Sequence, residues 1–210
     1  MAAKAVVLQY PLVSQSRSVI GDPPEDDGAA LLARYREGDE ASFDRLMRQY
    51  RAPIYGFFRR SGASPEVADD LFQETFLRVH AHAHRYTSGR PFKVWLFTIA
   101  HNLLRSHWRK KVVRRFLVGW WAGEPAEVAD DQAPVDEQVD AQAALRWLER
   151  ALQALPERHR QALVLTQIEG LSMEEAGVVL AVPVATVKTW VFRGRQLLVA
   201  ARKAHEGEAP

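Results

Sequence analysis

The 210-residue chain contains no cysteine, which excludes a disulfide framework and any thiolate metal site and suits a reducing compartment. No stretch approaches the roughly 20 apolar residues needed to span a membrane. The apolar start of the chain is interrupted by Gln9 and Pro11 and followed by Ser14-Gln15-Ser16-Arg17, so a secretory signal peptide is not expected. Gly-rich phosphate loops, nucleophile elbows and metal-ligand clusters are missing too, which argues against an enzyme acting on nucleic acid. The net charge is only +2, which on average calls for no polyanionic partner.

The distribution of charge says more than its sum. Residues 75–118 carry ten Lys or Arg and no acid, 124–140 carry seven acids and no base, and 177–204 carry five bases and again no acid. Two positive faces therefore flank an acidic stretch. With 47% hydrophobic and 26% charged residues, the chain has the composition of a folded globular protein.

Apolar residues recur every three or four positions and strand-like alternation is scarce, so the fold class is all-α. The pattern predicts helices over 29–37, 40–60, 65–84, 91–115, 137–154, 157–168, 173–180 and 184–203. Ser64 before Pro65 and Ser172 before Met173 can cap helices, and Glu175, three residues after Ser172, completes a capping-box pattern. Residues 1–27 end in Asp22-Pro23-Pro24-Glu25 and read as a flexible lead-in. Residues 116–136, with Gly119, Gly123, Pro125, Pro134 and most of the acids, read as a flexible acidic linker between two small helical domains, 28–115 and 137–205.

In the second domain, two helices joined by Ala181-Val182-Pro183 have the spacing of a helix-turn-helix. Advancing about 100° per residue, Val184, Val187, Val191, Gly194 and Leu198 fall on one stripe, widened on a flank by Trp190 and Leu197. The opposite side carries Lys188, Thr189, Phe192, Arg193, Arg195 and Gln196. Such a face suits a major groove, where cations meet phosphates or guanine edges and an apolar group meets a thymine methyl. A surface helix with a solvated basic side has the same pattern.

In the first domain, the helix after Ser64 places Ala68, Phe72, Thr75, Phe76 and Val79 toward a core. Asp69, Asp70, Gln73, Leu77 and His80 fall on the opposite side. Leu77 among polar neighbours is either an ordinary exposed leucine or the anchor of a protein-binding face. The segment 90–111 mixes aromatics with cations, the combination that single-stranded nucleic acid requires. Trp95, Ile99 and Leu103 step by four and fit a core, whereas Asn102 in mid-helix is hard to explain as packing. His80, His82 and His84 have no nearby carboxylate or cysteine to complete a metal set, and no metal, cofactor or small-molecule substrate is expected.

Taken in order, these motifs resemble a bacterial extracytoplasmic-function sigma factor of the sigma-70 superfamily. The resemblance rests on Asp70-Leu71-Phe72-Gln73-Glu74-Thr75-Phe76-Leu77 and on Pro91-Phe92 with Trp95-Leu96-Phe97, Ile99-Ala100 and Asn102. It extends to Leu155-Pro156 with Arg160, Glu169-Gly170-Leu171-Ser172 with Glu174-Glu175, and Pro183-Val184 with Thr186-Val187-Lys188. It covers about 29–203 and implies a region 2 domain, a region 4 domain and no catalysis by the chain itself. The implied partners are core RNA polymerase, promoter DNA and an anti-sigma factor. The first would be met at the clamp helices of its largest subunit and at the flap region.

By the same resemblance, Asp70, Gln73, Glu74 and Leu77 dock on the clamp helices. Tyr86 and Asn102 capture an unstacked base of the −10 element, with Arg105, Arg109, Lys110 and Lys111 on the nearby backbone. Lys188, Thr189, Phe192, Arg193 and Arg195 read the −35 element. A cytoplasmic location is implied, with a hold at the inner membrane through an anti-sigma factor left open. Ser106-His107, His80, Trp190 and Gly194 depart from the commoner residues, so the preferred bases do not transfer. The apolar Phe116-Leu117-Val118-Gly119-Trp120-Trp121 in the linker has several possible uses: packing between domains, entering the polymerase, or binding an anti-sigma factor. Two rivals remain. A self-sufficient DNA-binding regulator is expected to dimerise on a palindrome, yet no dimerisation domain is visible. A pure interaction protein leaves the basic recognition face unused.

Overall fold

The computed structural model describes residues 27–87, 89, 91–119 and 141–207, and every regular element among them is helical. The first unit contains α1 (Gly28–Arg36), α2 (Glu40–Arg60), α3 (Pro65–His82), a 3₁₀ turn (Ala83–Arg85) and α4 (Phe92–Gly119). The second contains α5 (Ala141–Ala154), α6 (Glu157–Leu163) continued by a π turn (Val164–Ile168), α7 (Met173–Leu180) and α8 (Val184–Gly207).

Local chemistry sets most of the starts. Asp39 accepts from the backbone N–H of Ser42 to open α2, and Ser64 accepts from that of Val67 to open α3, with Pro65 in the first turn. Ser172 and Glu175 form the reciprocal capping box that the sequence pattern predicts, at 3.1 and 2.8 Å. Each such bond satisfies amides that an α-helix leaves unpaired at its N-terminus.

α4 continues through Gly119, beyond the expected end at 115. Val112-Val113-Arg114-Arg115-Phe116-Leu117-Val118 holds no glycine or proline, so nothing in it stops a helix. The first residues expected to be linker are thus helical. The expected lead-in at 1–26, the acidic stretch 120–140, and the side chains of 116–121 lie outside the described residues.

In the first unit, α2, α3 and α4 pack around Leu46, Ile54, Phe57, Phe58, Phe76, Val79, Leu96 and Phe97. Phe57 meets Phe97 edge to face at 5.5 Å, a favoured aromatic geometry. In the second, α6, α7 and α8 enclose Leu163, Val164, Leu165, Val179, Val187 and Val191. Gly194 lets α8 approach α6 closely, because a Cβ there would meet Leu163 Cδ1 at 2.7 Å. The two units lie against each other, α4 on α7 and α2 on both α5 and the π turn, and their buried residues form one continuous cluster.

The turn between α7 and α8 depends on Ala181, whose φ of 55° is left-handed. The Val182 N–H donates to the Gly177 carbonyl at 3.0 Å, closing the end of α7. A residue with a Cβ is strained in this conformation. Ala181→Gly is expected to stabilise the chain by about 1 kcal/mol, seen as a higher thermal unfolding midpoint with unchanged helical circular dichroism.

Candidate nucleic-acid and protein-docking interfaces

α3 sorts its side chains as its periodicity requires. Ala68, Leu71, Thr75, Phe76 and Val79 are buried and Phe72 packs partly against the core, while Asp69, Asp70, Gln73, Leu77 and His80 are exposed. Leu77 is 63% exposed, an apolar side chain standing among acids and amides. Glu74 is not free: its Oε1 accepts from Arg78 Nε at 2.9 Å, one helical turn on. Arg78 belongs to this surface and is absent from the sequence-based set, although the i, i+4 spacing signals the pair. On the flanks, Arg51 lies over the Phe72 ring at 5.7 Å, and Tyr35 Oη bonds His80 Nδ1 at 2.5 Å. These contacts tie α2 and α1 to the helix that presents the face.

α4 is buried along two stripes. Phe92, Leu96, Ala100 and Leu103 form one, and Val94, Phe97, His101 and Leu104 the other. Asn102, Arg105 and Arg109 share the strip left between them, and Lys110 is exposed beyond the packed part of the helix. The Lys111 side chain lies outside the described residues. Leu103 is buried as its spacing predicts, with Trp95 and Ile99 packed partly against the core.

Tyr86 stands differently from the expectation of a base-capturing ring. It is 7% exposed, set against Phe92 and Trp95 at centroid distances of 5.7 and 5.3 Å. The 3₁₀ turn before it directs the ring inward, where burying a large aromatic surface outweighs exposing it. In this arrangement the ring backs Trp95, and Asn102 is the outward group.

α8 buries Val187, Val191 and Gly194, with Val184, Trp190 and Leu198 partly covered. Leu197, expected to widen the apolar flank with Trp190, is 43% exposed. Both residues sit off the centre of the stripe, and the larger indole reaches the core where the leucine does not. Lys188, Thr189, Phe192, Arg193, Arg195 and Gln196 are all exposed, Phe192 to 62%. Within that face, the Thr189 hydroxyl donates to the Ala185 carbonyl at 2.9 Å and Arg195 donates to Gln167 Oε1. Lys188, Phe192, Arg193 and Gln196 are therefore its outward-reaching members. Among the described residues, no group of three or more His, Asp or Glu is placed to hold a metal ion, and no single helix is long and apolar enough to cross a membrane.

These faces coincide with the segments that match known families. Residues 46–114 match sigma-70 region 2 and residues 145–198 match sigma-70 region 4. The ECF RNA polymerase sigma factor SigW of Bacillus subtilis is 31% identical over 173 residues, which are 80% of this chain and 92% of SigW. The RNA polymerase sigma factor CnrH of Cupriavidus metallidurans is 32% identical over 181 residues, 84% of this chain and 95% of CnrH. The chain belongs to the extracytoplasmic-function sigma factors. Its fold agrees with solved members. CnrH in complex with the cytosolic domain of CnrY superposes with a TM-score of 0.63 at 25% identity, over 86% of this chain and 99% of that one. RpoE of Bartonella quintana, in complex with the anti-sigma factor NepR, gives 0.63 at 26% identity, over 77% and 96%.

This sigma factor also carries a buried polar seam between its units. Glu169 is 6% exposed, with Oε1 3.4 Å from Arg60 Nη1, and its carbonyl oxygen accepts from Lys93 Nζ. Burial pushes its carboxyl up to about 7, against the pull of Arg60 and Lys93. His101, next to Asn102, shares a hydrogen bond with Gln161, and burial lowers its pKa. Neither residue was singled out from the sequence for such a role, because no local pattern marks a contact between residues so distant in the chain.

A carboxyl raised from 4.5 to about 7 binds its proton more tightly folded than unfolded. Its contribution to stability is therefore complete below 4.5 and lost as pH rises through 7. Glu169→Gln, which cannot ionise, is expected to be more stable than the parent chain at pH 8, by on the order of 3 kcal/mol, and so to unfold at a higher temperature. The difference should vanish near pH 5, as measured by thermal denaturation at both pH values.

Proposed function

We propose that this sigma factor brings RNA polymerase to promoters through three faces on three helices. Asp70, Gln73, Glu74 and Leu77 of α3, with Arg78 beside them, dock on the clamp helices of the largest polymerase subunit. Asn102 of α4 takes an unstacked −10 base, which helps offset the few kcal/mol that unstacking costs, while Arg105, Arg109, Lys110 and Lys111 follow the backbone. Lys188, Thr189, Phe192, Arg193 and Arg195 of α8 face the −35 element, with Phe192 suited to a thymine methyl. In this reading residues 28–115 act as the region 2 domain and 137–205 as the region 4 domain, which also meets the flap region.

The observation that carries the reading is the sorting of exposed side chains: acids around Leu77 on α3, cations with no acid on the outward strips of α4 and α8. A stand-alone DNA-binding regulator has no use for the first of these faces. The polymerase performs the chemistry, so the chain itself makes and breaks no bond. It works in the cytoplasm under an anti-sigma factor, a partner supported by the solved complex of the related RpoE with NepR.

Run-off transcription from a matched promoter library, with core polymerase and with or without this chain, tests the reading. Specific initiation should require the chain, and Gln73→Ala combined with Leu77→Ala should weaken core binding by at least about tenfold, as loss of an interface anchor does. Failure to initiate alongside tight sequence-specific binding by the chain alone would favour the independent regulator.

The two DNA faces separate by assay. Lys188→Ala or Arg193→Ala should each cost about 1–3 kcal/mol on promoters with an intact −35 element. Asn102→Ala should leave −35 binding intact and reduce permanganate reactivity of unpaired thymines at −10.

A further inference from the structure

We infer that Gln167, presented by the π turn, is a positioning residue for promoter binding: it holds Arg195 of α8 at the edge of the −35 contact, where the guanidinium meets DNA backbone rather than a base. The bond between the two side chains stands on geometry alone; its consequence rests on the promoter reading proposed above.

The bond is the outer end of a short row. Arg195 donates through Nη2 to Gln167 Oε1. Gln167 Nε2 donates to the Thr166 hydroxyl at 3.1 Å, and that hydroxyl donates to the Ala162 carbonyl at 2.7 Å. Every donor along the row meets an acceptor, and a reversed amide would set its NH2 against the guanidinium. Gln167 is therefore fixed with its oxygen toward Arg195, and the row ends on the backbone of α6. Among the described residues Arg195 enters no ion pair, so the amide orients the cation without neutralising it. The π turn supplies the reach. Its wide bond runs from the Glu169 N–H to the Val164 carbonyl at 2.9 Å, so the turn holds one residue more than an α-turn, an insertion that recurs at functional sites. Val164 and Leu165 stay buried in it while Gln167 is exposed.

The place of Arg195 on α8 decides what it meets. It follows Lys188 by roughly two helical turns, so the two share a face. Counted from Val184 at the start of the helix, it stands about 16 Å along the axis at 1.5 Å per residue. The major groove is only about 12 Å wide, and a recognition helix leads into it with its N-terminal residues. Lys188 and Thr189 then lie within the groove and Arg195 lies at its edge, where the phosphates are. Contacts to phosphate set the register of a protein on the duplex and carry no sequence information directly. A loose arginine must first be ordered to make one. Gln167 has already ordered it in the free protein, and preorganisation of one long side chain is worth about three- to tenfold in affinity.

The test uses holoenzyme assembled from core polymerase and the full chain, titrated on a labelled promoter fragment by fluorescence anisotropy. Gln167→Ala and Arg195→Ala should each weaken binding about three- to tenfold, and the double variant should bind no more weakly than Arg195→Ala alone. Each loss should be equal on the parent −35 element and on its single-base variants, whereas Lys188→Ala should alter the ranking of those variants. Gln167→Glu pairs with Arg195 and neutralises it. Between about 50 and 200 mM salt, it should lower the slope of log affinity against log salt by about 1, as Arg195→Ala does. A merely structural defect does not move that slope. Thr166→Val, which keeps both side chains and removes only the hydroxyl that anchors the amide, should lose affinity in the same direction.

Additive losses in the double variant overturn the positioning role, because two side chains that act as one unit cannot be removed twice. A loss confined to particular −35 bases overturns the assignment of Arg195 to the backbone. Either result leaves the sigma-factor reading intact. Holoenzyme that finds no promoter even with the parent chain defeats that reading, and the role of Gln167 falls with it.

Discussion

Helix α4 is buried along two stripes at once, and this double burial governs what the rest of the molecule can do. One stripe, from Phe92 to Leu103, belongs to the core of the first unit, and the other includes His101, which meets Gln161 across the seam. A helix with 3.6 residues per turn that hides two stripes keeps only a narrow outward strip. That strip holds Asn102, Arg105 and Arg109. The group proposed to hold an unpaired base therefore sits on a helix that cannot rotate without exposing aromatic core.

The same economy operates on α3 and α8. Each is held by a buried stripe, with α3 capped at its start by Ser64, and each presents a short list of outward side chains. Docking and base recognition both need side chains placed to within a fraction of an ångström on rigid elements. Leu77 and Phe192 are exposed to 63% and 62%, which leaves both free for the docking and −35 contacts proposed for them. The seam is of a different kind. Its central carboxylate is raised to about 7 by burial even with two cations at hand, so desolvation outweighs their attraction. A contact between domains built this way is specific without being permanent.

Much of this was legible along the chain. The helix pattern, the caps at Ser64 and Ser172, the turn at 181–183 and the outward faces of α3 and α8 all follow from i, i+3 and i, i+4 spacing, which is a local property. Where local spacing is too coarse, the structure departs from it. Leu197 was placed with Trp190 on the apolar flank, but only the longer indole reaches the core. The resemblance assigns Tyr86 to base capture with Asn102, whereas a 3₁₀ turn and two aromatic neighbours hold its ring inward. The end of α4 was set at the first break in composition, although the residues up to Gly119 contain nothing that stops a helix.

Periodicity and capping chemistry are written in residues a turn apart, so the sequence by itself determined an all-α chain with two basic faces and an acidic one. Only the tertiary structure decided that the two units lie against each other and that Glu169, more than a hundred positions from Arg60, is the residue buried between them. No short-range pattern encodes such a pairing. It exists because folding removes a carboxylate from water, and the nearest cations that can answer it belong to the other half of the chain.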